Sequence, residues 1–272
     1  MQKRAPVKRR KENFAERTMT RIWEEQPADH NPYVATSCRC HGYDLLDLMA
    51  ERSYVDVLYL LFRGELPTED QAALLKALMI GMINPGPRHP ATRAAMNAGI
   101  GKTDPVHILP IALTVMGGGH AGAGDVEAAM RFLRGHLNSD PAQVAADLLQ
   151  QESVDQGGNG QCAPPGFGAR FGDIDSMAQR IADQLLALPG SGPGLRWGCR
   201  FAQALADHRS GWLNAGVAAA VLVDLGFRPR DGAGLFQLLA APGLLAHGLE
   251  QANKPITAMP HVDDAHYVIE DR

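Results

Sequence analysis

Apolar positions along this chain recur at spacings of three and four, in short runs each closed by Gly, Pro or Asn. Val55, Leu58, Tyr59, Leu61 and Phe62 form one such stripe, ended by Gly64. Thr68 then caps a helix carrying Leu74, Leu75, Leu78 and Met82, which stops at Asn84-Pro85-Gly86-Pro87. A helix over 90–98 follows, and Asp104-Pro105 opens an apolar helix running to Met116. Further helices are predicted over 121–137, 141–151, 173–188, 194–208, 212–225 and 233–251, the last bent at Pro242. Towards the N-terminus the pattern predicts a short helix over 12–26 stopped by Pro27. An irregular stretch over 27–43 with one short extended segment comes next, then a brief helix from Tyr43 to Ala50. Residues 1–11 and Lys254–Arg272 read as tails. Strand alternation is almost absent, so the expected class is all-α, built from roughly ten to twelve short helices.

Composition narrows the function classes. A formal net charge of −4 over 272 residues argues against a general nucleic-acid binder. No charge-free apolar stretch of membrane-spanning length stands out, so no membrane partner is expected. The basic start (Lys3, Arg4, Lys8, Arg9, Arg10, Lys11) lacks a following apolar segment and reads as a solvated, disordered tail. Four cysteines are too few and too irregular for a disulfide framework, which points to reduced thiols and a cytoplasmic protein. Cys38-Arg39-Cys40-His41, with His30 nearby, lacks the spacer of a zinc knuckle and a second ligand pair, so no metal site is expected.

Two stretches carry candidate chemistry. Met116 runs into Gly117-Gly118-Gly119-His120-Ala121-Gly122, which places an imidazole among residues with almost no side chain, at the junction of two helices. Asp125 suits the first turn of the second helix. Taken alone this reads first as a glycine hinge with a satisfied histidine. The second stretch, Asp155 to Ala169, is glycine- and proline-rich and lies between helical patterns, the composition of a functional loop.

Five segments in order resemble the citrate synthase superfamily. They are Gly42-Tyr43-Asp44-Leu45-Leu46-Asp47-Leu48, Gly64-Glu65-Leu66-Pro67-Thr68, Gly118-Gly119-His120-Ala121-Gly122-Ala123, Pro165-Gly166-Phe167-Gly168-x-Arg170, and Leu222 to Phe227 together with Gly243 to Gln251. The resemblance covers about residues 40–270 and is strongest to the citryl-CoA lyase-like branch and the related module of ATP-citrate lyase. It implies a large helical domain (12–119 and 211–272), a small one (120–210) carrying the substrate and CoA loop, and a homodimer. It implies no covalently bound cofactor, a coenzyme A thioester as substrate, and a small keto or hydroxy acid as its partner. By resemblance, His120 steadies the enol of the thioester, Arg170 holds a carboxylate, and Gly119, Gly166, Phe167 and Gly168 line the ligand. The chemistry implied is carbon–carbon bond making or breaking beside the thioester, which needs a base and preorganised donors where charge develops.

The chain departs from the family pattern at several of these positions. Ala169 stands where a second histidine belongs, Ala215 where the base aspartate belongs (Asn214 beside it), and Ala240 where an arginine belongs. Asn84-Pro85-Gly86-Pro87 replaces an Asp-His-Gly-Pro-like segment. Ordinary citrate synthesis is therefore not expected. One reading is a Claisen or retro-Claisen enzyme for a non-standard substrate, in which His41, His89 or Asp173 compensate; Cys162, His208 and His247 are weaker candidates, with His247 assigned to helix packing. A second is a catalytically impaired thioester binder or regulatory partner of an active paralogue. A third is a helical scaffold without ligand.

Overall fold

The computed structural model describes residues 18–154 and 164–259, and side chains at 151–154 are not described. The basic N-terminal tail, Cys162 and the end of the C-terminal tail lie outside the described residues. The described residues contain eleven α-helices and five strands, three of them only two residues long, so the fold class is all-α. They group into two compact units, one up to Leu66 and one from Pro67 onwards.

The first unit departs from the helix expected over 12–26. β1 (Trp23–Ala28) pairs antiparallel with β2 (Asn31–Cys40), which pairs with β3 (Tyr43–Asp44). Pro27 disfavours helix at the residue before it and sits at a register shift, where a strand tolerates a missing N–H. The turn His41-Gly42 has positive φ at both residues (48° and 88°), as a two-residue hairpin requires. Asp44 caps α1 (Leu45–Glu51), and Ser53 with Asp56 forms a capping box on α2 (Tyr54–Arg63). Cys40, Leu48 and Leu60 form this unit's buried cluster, and burial pushes the Cys40 thiol above its usual pKa.

In the second unit the helices follow the apolar pattern closely: α3 (Glu69–Met82), α4 (Pro90–Ile100), α5 (Pro105–Met116), α6 (Ala123–His136) and α7 (Pro141–Val154). Then come β4 (Phe167–Gly168), α8 (Ser176–Leu186), α9 (Pro193–Ala204), β5 (Gly211–Trp212), α10 (Asn214–Asp224) and α11 (Pro229–Ala252). α10 is the core helix: Ala215 through Leu222 are all buried, and it packs against α6 and α9. Its last residue, Asp224, accepts the backbone N–H groups of Gly192, Gly194 and Leu195 and so satisfies the start of α9.

α11 differs from its expected bounds. It begins at Pro229, where the fixed φ suits a first helical position, and Asp231 in its first turn accepts from Arg228 at 2.8 Å. By length and composition it is apolar enough to cross a membrane, which the sequence reading did not anticipate. It packs against α4, α5 and α6 and buries Leu235, Phe236, Leu239, Ala240 and Leu244. Its apolar character therefore serves a core.

Candidate active site at the glycine junction

α5 ends at Gly117, and Gly118 to Gly122 carry the chain round to α6, with Ala121 at φ 53°. Gly119 is open, with nothing near its Cα that a side chain would meet. His120 is exposed on this junction, and its ring makes no hydrogen bond among the described residues. Two other groups, His89 and Asp125, feel its charge, and a third, Arg170, acts on His89.

The first is His89, the N-cap of α4. Its Nδ1 accepts the Ala91 N–H at 3.1 Å, so the ring proton sits on Nε2, which donates to the Ala121 carbonyl at 3.1 Å. Burial lowers the His89 pKa; the Ala121 hydrogen bond opposes this, and the charges of Arg170 and His120 add to the lowering. His89 is thus a neutral imidazole locked in one tautomer, bracing the backbone next to His120.

The second is Asp125, in the first turn of α6. Its Oδ1 accepts the Gly166 N–H at 3.1 Å, tying the junction to the Pro165-Gly166-Phe167 loop. Burial raises its pKa, against the Gly166 hydrogen bond and the pull of His120. The third is Arg170, whose main chain closes a turn with Asp173 through Arg170 N–H to Asp173 O at 2.6 Å. Its guanidinium donates to Asp175 Oδ2 at 2.7 Å and lies 6.0 Å from the Phe171 ring centroid. Burial acts to raise the Asp175 pKa, but Arg170 and the N–H groups of Ala178 and Met177 hold it below the usual carboxylate value.

The loop itself is anchored from beneath. Phe167 is 1 % exposed, stacked on Trp212 with centroids 4.5 Å apart and edge-on to Phe201 at 4.8 Å. Its ring therefore fixes the loop in the core, which leaves the backbone of Phe167 to face a ligand. Gly168, also expected to line the ligand, is buried and pairs with Gly211 in the β4–β5 ladder. Gly166, at φ 79°, crosses Gly216 of α10 so closely that an added Cβ would stand 2.5 Å from the Gly216 Cα. Leu213 N–H also donates to the Gly166 carbonyl, at 3.0 Å.

The remaining candidates stand elsewhere or do other things. His41 belongs to the first unit and donates to the Leu61 carbonyl at 3.3 Å. The Asp173 carboxylate accepts the Ile174 N–H, so it shapes the turn that carries Arg170. His247 accepts from the Asn84 amide at 3.2 Å, a link between α11 and the turn after α3. His208 sits in an exposed 3₁₀ turn. Ala215 and Ala240 are buried and Ala169 is exposed, none able to move a proton or hold an anion. The sequence reading took Asp125 for a helix-terminus residue and passed over Asp175. The signal for Asp175 was its place as N-cap before Ser176.

His89 carries a pH prediction. A folded pKa below the unfolded one means stability is complete above about 6.5 and falls as pH drops through the folded value, because the unfolded state binds the extra proton. Protonated Nδ1 also no longer accepts the Ala91 N–H. Thermal unfolding followed from pH 8 to 5 should show wild type losing stability relative to His89→Asn, which caps without titrating. Parallel profiles would refute this.

Buried α10 flanked by α6, α9 and α11, with a glycine junction facing a Pro-Gly-Phe-Gly loop, defines a helical architecture known from solved enzymes. The chain has the fold of citryl-CoA lyase and citrate synthase. It superimposes on citryl-CoA lyase from Hydrogenobacter thermophilus with a TM-score of 0.74 and 24% identity, covering 94% of each chain. ATP citrate lyase from Methanothrix soehngenii, solved with citrate and coenzyme A, gives 0.71 at 17% identity, covering 95% of this chain and 43% of that one. Citrate synthase from Thermotoga maritima gives 0.61 at 17% identity over 81% of this chain and 59% of that one. No protein-family model and no curated protein sequence matches the chain.

Proposed function

We propose that the chain binds an acyl-CoA thioester at the glycine junction and makes or breaks a carbon–carbon bond beside it, with a non-standard keto or hydroxy acid partner. The observation that carries this reading is the convergence of His120, Asp125, His89 and Arg170 on one pair of glycine-rich loops. His120, without a hydrogen bond among the described residues, donates to the thioester oxygen as enolate charge develops. Asp125, raised by burial, takes the α-proton that Ala215 cannot take. Arg170, positioned by Asp175, meets the carboxylate of the second substrate. His89 braces the junction and leaves the chemistry to its neighbours. Residues 120–210 act as the small domain that closes over the substrates. Fold alone does not fix this chemistry, which rests on the site.

The test is turnover. Purified protein is incubated with citryl-CoA, and separately with acetyl-CoA or propionyl-CoA plus a panel of keto acids, and products are followed by mass spectrometry. Thioester-dependent product supports the reading. Binding without turnover favours the second reading, an impaired thioester binder, which the alanines at 169, 215 and 240 motivate.

The protein acts as a homodimer in this reading. α5 carries only two polar side chains, His107 and Thr114, yet Val106, Ile111 and Val115 are 69%, 38% and 42% exposed, which calls for a covering surface. Light scattering should give a dimer mass for wild type and a monomer mass for Ile111→Glu. A monomeric wild type would contradict the assignment.

A further inference from the structure

α3 and α8 touch at both ends. Gly190, just past α8, presses on the Asp70 carbonyl where no side chain would fit, and a Cβ on Gly81 would stand 3.3 Å from the Ile181 side chain. Between the two helices runs a trough of about 660 Å³. That volume lies within the ~300–1,000 Å³ of small-molecule sites. On α8 its floor is Met177, Ile181, Leu185 and then Leu188, at helical spacings, facing Ala77 and Ile80 of α3. Met177 is 56% and Ile80 62% exposed, so apolar surface lies open along the trough. Arg180 stands on the wall, exposed and without a hydrogen-bond or ion-pair partner among the described residues. Asp183, on the same wall, is engaged by Gln179 at 2.9 Å.

The dimensions select the occupant. Two helices in contact at both ends leave no room between them for a third, about 10–12 Å across. A single alkyl chain fits, because α8 lines the trough for about 12 Å from Met177 to Leu185, the reach of a medium-chain acyl tail. The polar end is equally selective. One uncommitted guanidinium suits one carboxylate, while Asp183, three residues along the same helix, repels a doubly charged phosphate head.

We propose that this trough binds a medium-chain fatty acid, with its carboxylate on Arg180 and its alkyl chain along Ile181, Leu185 and Leu188. The site also bears on Arg170. Met177 N–H donates to Asp175 Oδ1 at 3.1 Å, and Asp175 Oδ2 accepts from the Arg170 guanidinium at 2.7 Å. A chain wedged beside Met177 displaces the start of α8 and with it the carboxylate that positions Arg170. Binding stands on its own, and only its effect on turnover rests on the thioester reading above.

Dodecanoate, kept below its micellar concentration, is titrated into the full chain by calorimetry, with dodecan-1-ol as the uncharged probe. The expected result is saturable binding of one dodecanoate per chain, about tenfold or more tighter than the alcohol. Arg180→Glu should raise the dodecanoate Kd about tenfold or more and leave that of the alcohol alone, whereas Ile80→Glu should weaken both. Both positions are exposed, so these variants keep the fold, which an unchanged thermal midpoint checks. Saturating dodecanoate should also raise the KM of the keto acid about fivefold or more and leave that of the acyl-CoA unchanged; an unchanged keto-acid KM overturns the link to Arg170. No saturable binding, several acids per chain, or affinity unchanged in both variants overturns the proposal. A wild-type dimer that Ile80→Glu dissociates also overturns it, since a second copy then covers the trough. Dodecanoate binding with no thioester binding or turnover overturns the reading above and leaves the trough standing. Thioester turnover without dodecanoate binding does the reverse.

Discussion

Replacing His120 with alanine will lower any thioester turnover by this protein about 10²–10³-fold, the ~2.7–4 kcal/mol of one oxyanion donor. The thermal midpoint will stay where it is. Both halves of the prediction come from the same observations. The ring is exposed and makes no hydrogen bond among the described residues, so the fold loses little when it goes. Its electrostatic neighbours, Asp125 and His89, are held by the backbone N–H groups of Gly166 and Ala91 and do not depend on it. A structural histidine would give the opposite pattern, with lowered stability and intact turnover. Steady-state kinetics alongside calorimetric melting separates the two, and kcat should carry the loss, because the donor acts where charge develops.

The second large effect concerns stability. Gly166→Ala should cost at least about 3 kcal/mol, from backbone strain at φ 79° and overpacking against Gly216 and the Ala129 side chain. For a domain of this size that corresponds to a midpoint lowered by roughly 6–12 °C. The clash is with backbone, which has no rotamer to escape into. Relief requires the loop to lift from α10, breaking the Leu213 and Asp125 hydrogen bonds that join loop, core helix and junction. Thioester binding should fall with it. A midpoint within about 2 °C of wild type would mean that the loop is not seated on α10 as described.

What the sequence disclosed follows from where side chains are buried. Thr68 and the stripe behind it mark α3 because cap and apolar face agree, and α10 is legible because eight consecutive residues are buried. The hairpin over Trp23–Cys40 was hidden because both its faces are polar or exposed, with only Ala28 and Cys40 buried. No alternation survives in such a strand pair. The start of α11 was hidden by Asp231 and Gly232, which read as loop until Pro229 is seen to preset the first turn.

The site divides similarly. His120 and Arg170 stand in motifs short enough to recognise, and His89 was visible as a histidine near a broken motif. Their joint setting was not visible, since the Nε2 proton of His89 on Ala121 is a contact across 32 positions. Asp125 looked like a helix-start residue, and only the Gly166 N–H from 41 positions away gives it a second meaning. Phe167 was legible as a loop residue, but its direction, into the aromatic core, depends on Trp212 and Phe201.

Titration of acetyl-CoA into the purified protein by calorimetry, with Arg170→Ala and His120→Ala alongside, tests the central claim most directly. The account predicts specific binding to wild type, weakened in Arg170→Ala only when the keto acid is also present, and His120→Ala binding the thioester with less favourable enthalpy. Absence of binding to acetyl-CoA, propionyl-CoA and free CoA alike would contradict it and leave the helical scaffold as the function.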